Sequence, residues 1–320
     1  MTMPTQSTDG ADDARSALDF SFDQLLQSAL DHRRESNRFR QTHIIQAIDS
    51  THVEINGRRL VNFCSNDYLG LSHHPAVIAA MQQAAAEFGA GAGAAPLISG
   101  YSPAHASAEA AIARWKTTES ARLLPSGYQA NLAAVQTVAA ACGASGRRVR
   151  FLLDKLAHAS LIDVVRGCAC AFRIFPHNHL AKLKRLLDDA PADELQVVVT
   201  ESIFSMDGDA APLADIAGLK RRRHFILLLD EAHASGVYGA NGGGLANELG
   251  MSDAVDISVI TLSKSLGCAG GAVCASRRFC DALTNFGRAY VFSTSLAPAL
   301  AAAAQAAIQV INAEPDRQAR

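Results

Sequence analysis

The chain has 320 residues, 49% hydrophobic and 19% charged, with a formal net charge of −2. That length suffices for one large core, and the near-neutral balance removes the electrostatic case for nucleic acid or an anionic membrane surface. Seven scattered cysteines, at 64, 142, 168, 170, 268, 274 and 280, form no C-x-x-C pair, which argues against zinc or dithiol redox chemistry and fits reduced thiols in the cytoplasm.

Residues 1–20 begin MTMPTQSTDGADDARS, which is polar and has no apolar core, so they read as a disordered tail and not as a secretory signal. Residues 21–65 form an N-terminal segment. An amphipathic helix is expected over 22–40, with Leu25, Leu26 and Leu30 on one face, and a hairpin over 53–63 around Asn56-Gly57. Arg33, Arg34 and Arg38 read as a solvated basic face of that helix. Residues 66–315 then form a large domain. It opens with a helix at 75–88 and the small-residue stretch GAGAGAA at 89–95. That stretch lacks the G-x-G-x-x-G spacing and follows a helix, so it reads as a loop and not as a dinucleotide site.

Beyond it, helices are expected at 105–115 and 129–141, and strands at 149–153, 171–175, 197–200, 225–229, 257–262 and 271–274. Further helices fall at 179–189, 213–222 and 278–286. This alternation predicts an α/β fold with a mostly parallel sheet wrapped by helices on both faces. The apolar stretch 299–310 is too short for a membrane span and reads as a packed helix.

Two apolar runs end in charge: HFILLLDEAHASG at 224–236 and DISVITLSKSLG at 256–267. Strands buried on both faces read this way, and ligands of open parallel sheets sit at strand ends. Asp230, His233 and Lys264 are therefore expected to converge on one pocket. A lysine in a partly apolar pocket is a usable amine nucleophile, suited to a Schiff base with a carbonyl such as the aldehyde of pyridoxal phosphate (PLP). A carboxylate facing the pyridine nitrogen is then required, and Asp230 is the candidate. A structural Lys–Asp pair is the bland alternative. The DEAH tetrapeptide alone suggests a helicase motif, but no Gly-Lys pair occurs anywhere in the chain, so the phosphate loop that reading needs is missing.

Ser126-Gly127-Tyr128 opens a helix with no acid in its first turn, a setting for a phosphate, and Thr261 could add a hydroxyl. His158 could stack on a flat ring or serve as a loop histidine near a helix cap. Ser205 is a donor near a strand end. Asp207-Gly208-Asp209 has too few following ligands for a calcium loop and reads as a turn.

Assembled, NFCSNDYLGLSHHP (62–75), LISGYSPAH (97–105), LPSGYQAN (124–131), DKLAHASL (154–161), FPHN (175–178), TESIFSMDGD (200–209), LDEAHASGVYG (229–239), TLSKSLG (261–267) and FSTS (292–295) resemble the α-oxoamine synthase family of PLP enzymes, in the family's order. The resemblance implies the aspartate-aminotransferase-like PLP fold type I, a homodimer and a cytoplasmic enzyme. It implies Lys264 as the cofactor-bearing lysine, Asp230 on the pyridine nitrogen, His158 stacked on the ring, and His233 and Ser205 on the ring hydroxyl. Ser126, Gly127, Tyr128 and Thr261 would hold the phosphate, Thr294 would reach the other subunit's phosphate, and Asn66 would lie on the substrate side.

The implied reaction is a decarboxylating condensation of an amino acid with an acyl thioester. Gly100-Tyr101-Ser102, FPHN and DEAHASGVYG look most like the members that join L-alanine to a pimeloyl thioester, on coenzyme A or acyl carrier protein, in biotin synthesis. Members acting on glycine or L-serine share most motifs. The family continues into a small C-terminal α/β domain whose arginine binds the amino-acid carboxylate. The chain ends at Arg320, in what reads as the helix after FSTS, so that domain is expected to be missing. A non-catalytic PLP-binding homologue is the alternative.

Overall fold

A computed structural model describes residues 21–49 and 51–319; the expected tail at 1–20 lies outside them. The chain divides into two compact units, up to Asn62 and from Phe63 onward. The first holds α1 (Phe22–Glu35), β1 (Gln46–Ala47), β2 (His52–Ile55) and β3 (Arg58–Val61). Helix α1 starts at a capping box between Ser21 and Gln24 and ends with His32, Arg33 and Arg34 in its last turn, both favourable to the helix dipole. It stops five residues earlier than the sequence pattern suggests, where Ser36 turns back to the His32 carbonyl. The expected hairpin is present, with β2 antiparallel to β3. Asn56 and Gly57 both take positive φ, 53° and 73°, as a two-residue turn requires.

The second unit contains α2 (Pro75–Phe88), α3 (Pro103–Trp115), β4 (Ser120–Leu124), α4 (Gly127–Ala144), β5 (Arg148–Asp154), α5 (Ala159–Gly167), β6 (Ala171–Phe175) and α6 (Leu180–Asp188). The chain continues through β7 (Glu194–Glu201), α7 (Leu213–Lys220), β8 (Ile226–Asp230), α8 (Leu245–Glu248), β9 (Ile257–Thr261), β10 (Gly271–Ala275), α9 (Arg277–Phe286), α10 (Arg288–Val291) and α11 (Pro298–Ala313). Seven strands form one sheet in the order β4-β10-β9-β8-β7-β5-β6. Strands β6, β5, β7, β8 and β9 run parallel, while β10 is antiparallel to both β9 and β4.

All six expected strands of this sheet are present. Strand β4 and helix α5 lie where none was expected. In β4, Arg122 interrupts the apolar run and turns to Glu109 on α3 and Asp281 on α9. The central strands are buried along their length: β8 reads Ile-Leu-Leu-Leu-Asp and every residue of β9 is buried. One apolar cluster packs α4 and α5 on one face of β5–β10, and another packs α6 and α7 against β7 and β8. The helix after FSTS is α11, packed through ten buried residues. It ends at Ala313, before Pro315, so the chain runs past it and does not stop within it. No helix of the described residues is long and apolar enough to cross a membrane.

Candidate active site

Parallel strands deliver their C-terminal ends to one edge, and there β7, β8 and β9 end in Glu201, Asp230 and Thr261. These line a cavity of about 220 Å³ together with Lys264, His233, His158 and the start of α4. Asp230, His233 and Lys264, expected from the sequence to converge, all line this one cavity.

Lys264 follows β9 in a turn closed by the Gly267 N–H donating to the Lys264 carbonyl, 2.8 Å. Gly267 has φ +64°, and a Cβ there would fall 2.2 Å from the Ser72 backbone nitrogen, so only glycine fits. Burial lowers the proton affinity of Lys264, opposed by the nearby charges of Asp230 and Glu201. A buried ammonium loses hydration, which favours the neutral amine needed for attack on a carbonyl.

Asp230 is 5% exposed. Its carboxylate accepts hydrogen bonds from the Ala232 N–H at 2.9 Å and the Asn131 side-chain amide at 2.8 Å. Asn131, on the second turn of α4, also donates to the Ser160 hydroxyl at 3.0 Å, and Ser160 contacts His158 Nδ1 at 2.7 Å. His158 is the N-cap of α5 and lines the cavity as well; the cap and pocket readings are not exclusive.

His233 is neutral. Burial first, then the Lys264 charge, brings its imidazole down to about 4. Its Nδ1 lies 2.7 Å from the Tyr68 hydroxyl, which donates to Asn66 Oδ1 at 3.2 Å. A hydroxyl has one proton, so the His233 Nδ1–H donates to Tyr68 and Nε2 is left as an acceptor. Asn66 is exposed and does not line the cavity; it reaches the site through Tyr68.

The start of α4 supplies an anion site. The Ser126 hydroxyl accepts from the Gln129 N–H at 3.1 Å, leaving the Gly127 and Tyr128 amides without intrahelical acceptors. A Cβ on Gly127 would sit 3.1 Å from the Thr261 side chain, so glycine keeps this cradle open. Tyr128 lines the cavity, but its hydroxyl is turned to Asp163 at 2.9 Å. Ser205 and Thr294 do not line this chain's cavity. Ser205 is exposed and outside the cavity lining, with only its backbone amide reaching the Glu201 carboxyl. Thr294 is exposed on the loop after α10 and does not line this chain's cavity.

Sequence reasoning missed Glu201, Asn131 and Tyr68, although each stands inside a quoted motif. It also missed the role of Glu231, next to Asp230. Glu231 pairs with Lys116 Nζ at 2.6 Å, both side chains 2% exposed. Lys116 also donates to the Ser235 hydroxyl at 3.1 Å and to the Gly243 carbonyl. This clamp fixes the 230–235 segment to the end of α3. His177, Asp207 and Asp209 come within reach of one another, but His177 bridges Asp154 at 2.9 Å and Asp209 at 2.8 Å, and Asn178 also donates to Asp209. The acidic turn is thus a hydrogen-bonded brace.

The residues present fit a pyridoxal phosphate. A helix N-terminus kept open by glycine suits the phosphate, a hydrogen-bonded carboxylate suits the ring nitrogen, a desolvated lysine suits the aldehyde, and the buried Glu201 Oε1 and Asn131 Oδ1 have no partners within the protein.

Residues 58–320 match the aminotransferase class I and II family. An 8-amino-7-oxononanoate synthase from Pelobacter propionicus is 40% identical over 288 residues, covering 90% of this chain and 72% of that protein. Among solved structures, a serine palmitoyltransferase from Sphingomonas wittichii superposes with a TM-score of 0.84 at 32% identity, covering 93% of this chain and 73% of that one. A lysine-to-alanine variant of serine palmitoyltransferase from S. paucimobilis with a bound PLP–myriocin aldimine superposes with a TM-score of 0.83 at 28% identity, covering 92% and 73%.

Proposed function

The chain belongs to the class I and II aminotransferase family and to its α-oxoamine synthases, and from that premise we propose that it is an 8-amino-7-oxononanoate synthase. It condenses L-alanine with a pimeloyl thioester, on coenzyme A or acyl carrier protein, releasing carbon dioxide and the free thiol. The observation carrying the chemistry is the convergence of Lys264, Asp230 and the open α4 N-terminus on one cavity. The 40% identity to a synthase of that name carries the substrate. The serine palmitoyltransferase likeness is the second reading, carried by the backbone match.

Bound in this cavity, pyridoxal phosphate supplies an aldehyde for amines and a protonated ring that accepts the electron pair left when a substrate proton departs. The protein's part follows from its side chains. The amides of Gly127 and Tyr128, with the hydroxyls of Ser126 and Thr261, hold the phosphate. Asp230 holds the proton on the ring nitrogen. His158, which lines the cavity, would cover one face of the cofactor ring. His233, its proton affinity lowered by burial, would offer Nε2 to the ring hydroxyl. Lys264, whose proton affinity burial lowers, would hold the cofactor through its aldehyde carbon and, as a free amine, would be the base for the alanine α-proton. Asn66 lies on the substrate side.

A homodimer belongs to the same proposal. Leu97 and Ile98 are exposed on the helical turn 96–100 and Phe292 on the turn after α10, 80% for Ile98 and 71% for Phe292. The two segments are joined where the Ser295 N–H donates to the Ala94 carbonyl, 3.0 Å. An exposed apolar surface of this kind supports pairing with a second copy, in which Thr294, near Phe292 in sequence, would reach the partner's phosphate. A cytoplasmic location and a large cofactor-binding domain spanning 66–315 complete the reading.

The test is product formation by the PLP-loaded chain. L-alanine with a pimeloyl thioester should yield 8-amino-7-oxononanoate by mass spectrometry, with matching carbon dioxide release. Turnover of L-serine or glycine in preference to L-alanine would overturn the substrate assignment.

A further inference from the structure

Two carboxyl groups line one small cavity. Glu201 and Asp230 are partners in register across β7 and β8, 2% and 5% exposed, and both line the cavity. Their surroundings differ. Asp230 receives the Asn131 and Ala232 donors on its two oxygens, whereas Glu201 Oε1 is buried with no partner. Two like charges at neighbouring buried positions do not both persist, and the proton settles on the less well solvated member.

The groups facing Glu201 are Asp230 from β8, Lys264 beyond β9, and the Ser205 and His158 amides from its own turn and the start of α5. His233, beside them, is uncharged. Burial and the Asp230 charge push the Glu201 carboxyl up to about 8, in line with the geometry.

We propose that Glu201 is a positioning residue held as a neutral carboxylic acid, so that Asp230 remains the one anion presented to the cofactor ring nitrogen. This rests on the pyridoxal phosphate reading of the site. An ionised Glu201 would add a second negative charge beside Asp230 and raise the proton affinity of that pair and of Lys264. A neutral Glu201 still accepts from the Ser205 and His158 amides, while its Oε1 has no partner within the protein.

The experiment compares wild type with Glu201→Gln and Glu201→Ala, folded by circular dichroism, with and without PLP. Infrared difference spectra, wild type minus Glu201→Gln at pH 6.5, should contain the carbonyl stretch of a protonated carboxyl group, vanishing at high pH. Glu201→Gln, neutral and isosteric, should keep PLP affinity within about threefold, while Glu201→Ala should lose about tenfold (about 1.4 kcal/mol). The pH dependence of the bound-PLP absorption band should lose one transition in Glu201→Gln. Absence of the protonated-carboxyl band in wild type, or a tenfold loss of PLP affinity in Glu201→Gln, overturns the proposal. Failure of wild type to bind PLP at all overturns the cofactor reading instead, and the infrared band still decides the protonation of Glu201.

Discussion

Replacing Lys116 with methionine tests how the segment after Asp230 is held. Lys116 and Glu231 are each 2% exposed and 2.6 Å apart, and the ammonium also serves Ser235 and Gly243. Lys116→Met removes the cation and leaves Glu231 with only the Ala246 N–H at 3.0 Å and the Ser258 hydroxyl at 3.4 Å. Removing one member of a buried ion pair costs about 3–5 kcal/mol, because the remaining charge stays desolvated, whereas replacing both with apolar groups is often neutral or better. Lys116→Met should therefore destabilise by about 3 kcal/mol or more, and Lys116→Met/Glu231→Met by at least about 1.5 kcal/mol less than the sum of the singles. Urea denaturation followed by the fluorescence of Trp115, the chain's one tryptophan, reads both as midpoint shifts at unchanged slope. A single variant within about 1 kcal/mol of wild type, or strict additivity, would refute the clamp.

Gly267→Ala combines a left-handed backbone with a Cβ 2.2 Å from the Ser72 nitrogen; about 2–4 kcal/mol of destabilisation is expected, read by thermal unfolding, and a shift under about 1 kcal/mol would contradict the close approach. His233 has its native proton affinity lowered to about 4 from an ordinary value of 6.5. Between those values the unfolded chain binds the extra proton, so stability is full above pH 6.5 and falls as pH drops toward 4. The wild-type minus His233→Gln stability difference should show that slope between pH 6.5 and 4 and be flat from pH 7 to 9; a slope above pH 7 would mean a charged imidazole.

The parts of the site legible in the sequence were those that terminate buried strands. Ile-Leu-Leu-Leu before Asp230 and the apolar run before Lys264 announce strands covered on both faces, and polar groups at their ends have one open edge to face. Partners brought together from far along the chain were not legible. Asn131 meets Asp230 across 99 positions and Tyr68 meets His233 across 165, and no local pattern encodes such contacts. Glu201 does not stand out in the sequence, because a glutamate ordinarily marks a surface. Glu231 drew attention only as part of DEAH, when its meaning lay in Lys116. Strand β4 was hidden by Arg122, whose charge is met by Glu109 and Asp281 from two helices. The antiparallel β10 reads like its parallel neighbours because it is buried in the same way.

The central claim is that Lys264 bears the cofactor. The PLP-loaded chain should be reduced with borohydride, digested and mapped by mass spectrometry. The account predicts a phosphopyridoxyl group on Lys264 in stoichiometric yield, lost from that position in Lys264→Ala, and not formed when L-alanine is added before reduction. Modification spread over surface lysines, or a pyridoxyl group fixed elsewhere at full yield, would contradict it.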